Sequence, residues 1–204
     1  MKQRAFTLTE VLVALGLLLL LGALLVRILF PTFNLSHQRA VQTELQTTGS
    51  LALTRLTQDL RNSTPASVSF ADNLLGCHRL ADLSIDGDQV WEERLVVYRF
   101  LPEEKTLERV GVSLDKITVK NASTAGPLRL QPSELSTVAE LPINTRLTFQ
   151  SVVQFQVDSP ESPNQSFQQP LTLRLKLEKE IFRPTRRILS AEFERTVFLL
   201  NKAH

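Results

Sequence analysis

Phe6-Thr7-Leu8-Thr9-Glu10, followed by the unbroken apolar run Val11 to Val26, is the stretch on which the fold turns. Lys2 and Arg4 precede it, no side chain from Val11 to Val26 is charged or polar, and Arg27 ends the run. With Phe6 and Leu8 on one side and Ile28, Leu29 and Phe30 on the other, the segment reaches the roughly 20 apolar residues a helix needs to cross a bilayer. The basic residues before the span place its N-terminus in the cytoplasm and the remainder of the chain outside. Glu10 does not suit a plain anchor. An ionised carboxylate carried to the membrane centre costs about 2.5–3.5 kcal/mol, and anchoring has no use for one. A secretory signal peptide shares the basic start and apolar core, but it ends in a small-x-small site; Leu24-Leu25-Val26-Arg27 is a poor one. A simple signal anchor accounts for everything except the Phe-Thr-Leu-x-Glu spacing.

That arrangement resembles the class III leader of type IV pilins and pseudopilins. Their pattern is a short basic leader, a small residue (usually Gly), then Phe-Thr-Leu-x-Glu and an apolar helix. Here Lys2-Gln3-Arg4-Ala5 stands as the leader, Phe6-Thr7-Leu8-Thr9-Glu10 as the motif and Val11-Leu12-Val13-Ala14-Leu15 as the start of the helix. Ala5, where the family mostly has Gly, is the departure. The resemblance implies cleavage by a prepilin peptidase between Ala5 and Phe6, N-methylation of the new Phe6 amine, and a role for Glu10 in assembly. It also implies partners: other pilin or pseudopilin subunits, an inner-membrane assembly platform and membrane lipid. The expected location is a single-pass inner-membrane protein with its C-terminal part periplasmic or extracellular, and also a pilus or pseudopilus. The physical chemistry agrees. A buried carboxylate and a buried ammonium each cost several kcal/mol alone and less when paired, so Glu10 of one subunit can meet the Phe6 amine of a neighbour as helices pack into a filament.

The 204 residues hold one domain beside the anchor. Of 23 Lys+Arg, two lie in the leader, which leaves 21 cations against 21 anions in the mature chain. The pI of 8.9 is therefore no argument for a nucleic-acid partner. Cys77 is the single cysteine and permits no intrachain disulfide. The division expected is 1–5 leader, 6–30 transmembrane helix, 31–64 amphipathic continuation and 65–204 an extracytoplasmic β-rich globular domain.

Pro31 cannot donate a backbone hydrogen bond and is expected to kink or interrupt the helix near Ile28 to Phe30. Beyond it Leu35, Val41, Leu45, Ala52, Leu56 and Leu60 recur at close to the helical period, with Gln38, Arg39, Glu44, Gln58 and Asp59 between them. Gly49 weakens this helix by roughly 1 kcal/mol relative to Ala, and Asn62-Ser63-Thr64-Pro65 closes it. The stretch Ala52 to Asn62, with its Asp59-Leu60-Arg61 ending, resembles the leucine repeat of one group of minor pilins and of the J-type pseudopilin of type II secretion. After Pro65 the period changes to two. Asp86-Gly87-Asp88 signals a turn, Arg94 to Leu101 reads as a strand, and Leu107 to Val112 returns as its hairpin partner. Val97-Tyr98-Arg99-Phe100 followed by Leu107-Glu108-Arg109 is similar to a hairpin of the same minor-pilin group. Asn121 to Glu140 is loop-rich, alternation resumes across Asn144 to Val157, and Ser159 to Ser166 is a polar, exposed loop. Leu171, Leu173, Leu175 and Leu177 alternate with Thr172, Arg174, Lys176 and Glu178, a half-buried strand with a cationic outer face. Glu192 to Leu200 forms the last strand. The expected fold is α+β: one long helix, half in the membrane and half packed on a mostly antiparallel sheet of five to seven strands, as in pilins.

No motif with catalytic, cofactor-binding or metal-binding specificity stands out, and an enzyme is not expected. Cys77 and His78 point to opposite faces of a strand, with no second pair to complete a metal site. Asp72, Asp82, Asp86 and Asp88 lack the ligand arrangement of a calcium loop, and Gly87 and Gly111 are read as turn residues. Arg183, Arg186 and Arg187, with Lys176 and Lys179, are interleaved with Glu178 and Glu180 and read as a solvated loop. Trp91 is read as core or strand-edge packing. The leading function is a minor pilin or pseudopilin, a structural subunit of a type IV pilus or type II secretion pseudopilus with a tip or priming role. Its rivals are a tip binding module (an adhesin or DNA-uptake pilin) and a simple membrane-anchored domain.

Overall fold

The computed structural model describes residues 7–83, 89–117, 126–141, 145–159, 169–181 and 186–200. One helix, α1 (Leu8–Arg61), runs for 54 residues, about 80 Å at 1.5 Å per residue. A capping box fixes its start: Glu10 N–H donates to Thr7 Oγ1 at 3.4 Å and Thr7 N–H donates to the Glu10 carboxylate at 3.0 Å. Pro31 does not interrupt it. A proline inside a helix leaves one ladder bond unmade, and in the next position Thr32 Oγ1 donates to the Ile28 carbonyl at 2.9 Å. At the far end the carbonyls of Asn62 and Ser63 accept from Leu80 N–H at 2.7 Å and Leu200 N–H at 2.9 Å. The chain leaving the helix is thereby tied to one sheet and to the segment that follows the last strand of the other.

The two halves of α1 have opposite surroundings. From Leu8 to Leu35 every Leu, Ile, Val and Phe side chain is exposed. From Val41 on, Leu45, Gly49, Ala52, Leu53, Leu56 and Leu60 are buried. Leu35, expected on the buried stripe, lies 56% exposed and belongs with the uncovered half.

Strands β1 (Val68–Ala71), β2 (Leu74–Leu83), β3 (Gln89–Leu101), β4 (Thr106–Ser113) and β5 (Thr145–Gln150) form one antiparallel sheet in sequential order. β6 (Val152–Asp158), β7 (Leu171–Ile181) and β8 (Arg187–Val197) form a second. The α+β expectation holds, with eight strands among the described residues rather than five to seven. The hairpin expected between Arg94 and Val112 is present, Tyr98 lying directly opposite Arg109. Several boundaries differ. The alternating stretch from Asn144 to Val157 is two strands in different sheets, divided at Ser151, whose φ is 66°. The loop-rich region contains a helix, α2 (Pro132–Ala139). Pro132 is its first residue, where a missing N–H costs nothing, and Gln131 N–H donates to the Glu134 carboxylate at 2.7 Å. Gly111 is not in a turn; it sits within β4, opposite Val96 and Thr145. β8 begins five residues before Glu192. Asp86-Gly87-Asp88, Arg183, Pro184 and all but Ser159 of the polar loop lie outside the described residues.

The main core lies where the second half of α1 meets the inner faces of both sheets, with Leu56 and Leu60 against Val68, Cys77, Tyr98 and Leu107 and the Leu171-Leu173-Leu175-Leu177 row of β7. A second cluster covers the other face of the first sheet: Leu95, Val97, Val110 and Val112 beneath Leu128, Leu130, Leu135 and Val138. The outer face of β7 is mixed in charge rather than cationic, because Arg174 pairs with Asp158 and Glu194 at 3.1 Å each and Lys176 pairs with Glu178 at 3.1 Å.

At Gly49, α1 and the second sheet come close together. A Cβ added there would lie 2.2 Å from the Phe193 ring. Although Leu is the better helix former, Gly49→Leu should lower the unfolding free energy of the detergent-solubilised chain by roughly 1–3 kcal/mol through overpacking. Adding Phe193→Ala should recover much of that loss if this contact is the cause. A double variant no more stable than Gly49→Leu alone would place the cost elsewhere.

Candidate functional site

Glu10 is the first candidate. The carboxylate turns back over the helix N-terminus, accepting from Thr7 N–H and from Thr7 Oγ1, each at 3.0 Å. The unpaired amides and the positive end of the helix dipole favour an anion there. The side chain is exposed, and its described partners are two groups of a single residue, both replaceable by water or by a cation. Ala5 and Phe6 lie outside the described residues. Glu10 is also the sole acidic residue before Glu44, so it is the one anion the apolar half of the helix can offer a neighbour.

The second cluster is buried. Asp59, grouped in the sequence with the polar residues between the apolar positions although it lies three after Leu56 and seven after Ala52 and so on the same stripe, is 2% exposed. Its Oδ2 accepts from the Tyr98 hydroxyl and from Arg109 Nε, each at 2.6 Å, and its Oδ1 accepts from Arg79 at 2.7 Å and from a second Arg109 nitrogen at 3.1 Å. Arg79 also reaches Glu92 through two nitrogens, at 2.6 and 3.0 Å. Burial alone would raise the Asp59 carboxyl. The hydrogen bonds from Arg109 and Tyr98 and the charges of Arg109 and Arg79 more than offset it, so the group is held below the ordinary carboxylate range. Burial and the neighbouring carboxylate push the Tyr98 phenol up, which keeps it a donor. Each Asp59 oxygen accepts from two donors. The effect of the cluster is mechanical: one carboxylate from the helix fixes β2, β3 and β4 at once.

A second buried carboxylate lies on the opposite face of β4. Glu108 accepts from Arg99 at 2.7 Å and pairs with Arg146. Cys77 and His78 do face opposite sides of β2, the thiol in the main core and the imidazole beside buried Trp91, ring centres 5.2 Å apart. Burial pushes the Cys77 thiol up, away from reactivity. The basic residues around β7 and β8 are largely engaged, with Lys179 on Glu44 at 2.6 Å and Arg186 on Glu180. Among the described residues no group of three or more His, Cys, Asp or Glu side chains could hold a metal. Asp86 and Asp88 are not among them.

Asp59, Tyr98 and Arg109 all lie in the two stretches singled out for their likeness to minor pilins, and the structure brings them to one point. What the sequence does not show is that they touch, because 39 to 50 residues separate the partners. Arg79 and Glu92 carried no sequence signal at all. Arg61, which completes the Asp-Leu-Arg triplet, is exposed and takes no part in the cluster.

A family model described as a prokaryotic N-terminal methylation motif matches residues 1–26. No curated protein and no solved structure matches the chain. The matched motif and the long apolar helix together fit a type IV pilin-like protein, and the α+β architecture is pilin-like. In general such a motif implies processing by a prepilin peptidase, assembly with other pilins and anchoring in a membrane. Proteins that carry it are structural subunits.

Asp59→Ala leaves the Arg109 guanidinium and the Tyr98 phenol without this acceptor and Arg79 with Glu92 alone, and should destabilise the fold by about 3–5 kcal/mol. The lowered Asp59 carboxyl also sets a pH dependence. Its stabilisation is fully present above the pKa of an unfolded aspartate, about 3.9, and is lost as the pH falls from there through the folded value. Acid titration of unfolding should therefore show a steeper loss below pH 4 in the parent than in Asp59→Asn. Parallel curves would mean that another carboxylate sets the acid limit.

Proposed function

We propose that the chain is a minor pilin or pseudopilin. The reading is that it waits in the inner membrane with its N-terminus in the cytoplasm, is cleaved between Ala5 and Phe6, is N-methylated on Phe6 and is then drawn into a filament by the assembly platform. The observation that carries this is the first half of α1. Its apolar side chains from Leu8 to Leu35 are all exposed, and the one carboxylate stands at its start. Lipid covers such a surface before assembly, and neighbouring helices cover it afterwards. On leaving lipid, Glu10 exchanges its contacts with Thr7 for the α-amine of an adjacent subunit's Phe6, so that neither charge is buried alone. Residues 65–204 then form the extracytoplasmic part that meets other subunits. A minor place, at the filament tip or in a priming complex, rests on the likeness of Asp59-Leu60-Arg61 and of the Tyr98/Arg109 hairpin to minor pilins. Their meeting at one buried cluster supports reading the two stretches as a single feature.

Glu10→Ala tests the assembly step. The variant should be processed and membrane-resident like the parent. Its recovery with partner pilins in sheared filaments, or in cross-linked complexes from the membrane, should fall by more than about tenfold, because an unpaired buried ammonium costs well over the 1.4 kcal/mol that a factor of ten represents. Undiminished incorporation would remove Glu10 from the mechanism. Ala5→Gly, which restores the residue most common at that position, should raise the processed fraction and leave incorporation per processed chain unchanged.

A further inference from the structure

Three described polar ties join the segment Leu128–Leu130 and α2 to the first sheet. Leu128 N–H donates to His78 Nδ1 at 3.1 Å, Leu130 N–H donates to Ser69 Oγ at 2.8 Å, and Arg99 donates to the Ala139 carbonyl at 3.2 Å. The apolar seat of α2 is Leu135 on Gly76, where an added Cβ would lie 2.7 Å from the leucine methyl. The other ring nitrogen of His78, Nε2, is 2.6 Å from the Glu92 carbonyl. A carbonyl only accepts and a backbone N–H only donates, so the two contacts fix one form of the ring: neutral, with its proton on Nε2. A second proton has to go on Nδ1, where it would oppose the Leu128 N–H. The imidazole is fully buried.

We infer that His78 is a proton-operated latch, and that its protonation releases the Leu128–Leu130 segment and loosens α2 from the first sheet. The charges around the ring do not replace the lost bond. From β3, Trp91 packs against the ring and the Glu92 carboxylate is occupied by Arg79. From the fastened segment the one charged residue is Arg129, which would repel an imidazolium, and from α2 Glu134 is held on Gln131 N–H. Of these three described ties, that of His78 is the one whose acceptor can take up a proton near neutral pH, the others being a serine hydroxyl and a backbone carbonyl. Burial lowers the His78 pKa, as expected for a ring held neutral. The sign follows. Closure is fully stabilised above the ordinary histidine value of about 6.5 and loses stability as the pH falls from there through the closed-state value. Opening uncovers the face made by Leu95, Val97, Val110 and Val112.

Trp91 is the single tryptophan and stands against the latch, so it serves as the reporter. The full chain in detergent micelles is titrated from pH 7.5 to 4.5 while Trp91 emission and amide hydrogen exchange, corrected for intrinsic rate, are followed. The latch predicts a one-proton change in Trp91 emission centred below pH 6.5, with the protection of Leu128 and Leu130 falling at least tenfold over the same range and that of Val97 and Tyr98 unchanged. His78→Asn, which keeps an acceptor near Nδ1 but cannot charge, should abolish the pH dependence. Equal loss of protection in His78→Asn, or protection of Leu128 that is flat to pH 4.5 in the parent, overturns the inference. Should His78→Asn fail to fold, the ring 15N shifts of His78 in the parent chain decide. A protonation midpoint shared with Leu128 exchange sustains the latch, and separate midpoints overturn it.

Discussion

An apolar helix surface cannot be left in water along half its length. Each Leu or Phe kept exposed forgoes about 1.5–3 kcal/mol of burial, and α1 leaves every such side chain from Leu8 to Leu35 uncovered. The rest of the molecule is shaped by that constraint. The uncovered half needs lipid or other helices around it, whereas the second half must be gripped firmly enough that one continuous rod serves both. Unbroken helix through Pro31 makes the two halves a single mechanical element. Whatever moves the first half moves the second.

The grip has two parts of different character. Against the second sheet it is apolar and close, with Gly49 admitting the Phe193 ring and the β7 leucines filling the core. Against the first sheet it includes the buried Asp59 cluster. A hydrophobic contact is tolerant of small shifts, but a carboxylate shared by Tyr98, Arg79 and Arg109 has one satisfactory geometry. Replacing such a cluster by apolar groups can be neutral in stability. Its contribution here is to fix where three strands sit relative to the helix. The carbonyls of Asn62 and Ser63, taken up by Leu80 and Leu200, finish the same junction with backbone bonds.

Much of this was legible in the residues. The apolar run with its lone Glu10, the helical period from Val41 to Leu60, the alternation of Leu171 to Leu177 and the Tyr98/Arg109 hairpin are local patterns, and local patterns survive in sequence. What was not legible required knowledge of distant partners. The spacing of Asp59, three after Leu56 and seven after Ala52, puts it on the buried stripe, but its charge argues for the surface, and the three donors that satisfy it inside lie 20 to 50 positions away. Ser151 gave no sign that one alternating stretch divides between two sheets, because alternation reports which face is buried and not which sheet. Pro132 is a loop signal by composition, yet the first turn of a helix accepts proline equally well. His78 has Cys77 as its neighbour in sequence, but its chemistry is set by Glu92 and Leu128, 14 and 50 positions away.

The central claim is that the first five residues are a leader removed to expose Phe6 as the start of an assembling helix. Intact mass and N-terminal sequencing of the protein isolated from its native membrane test it most directly. The account predicts a mature chain that begins at N-methylated Phe6, lacks Met1 to Ala5 and is heavier by one methyl group than cleavage alone would leave. A chain that retains Met1, in cells whose prepilin peptidase is active on its other substrates, would contradict it and leave a simple membrane anchor.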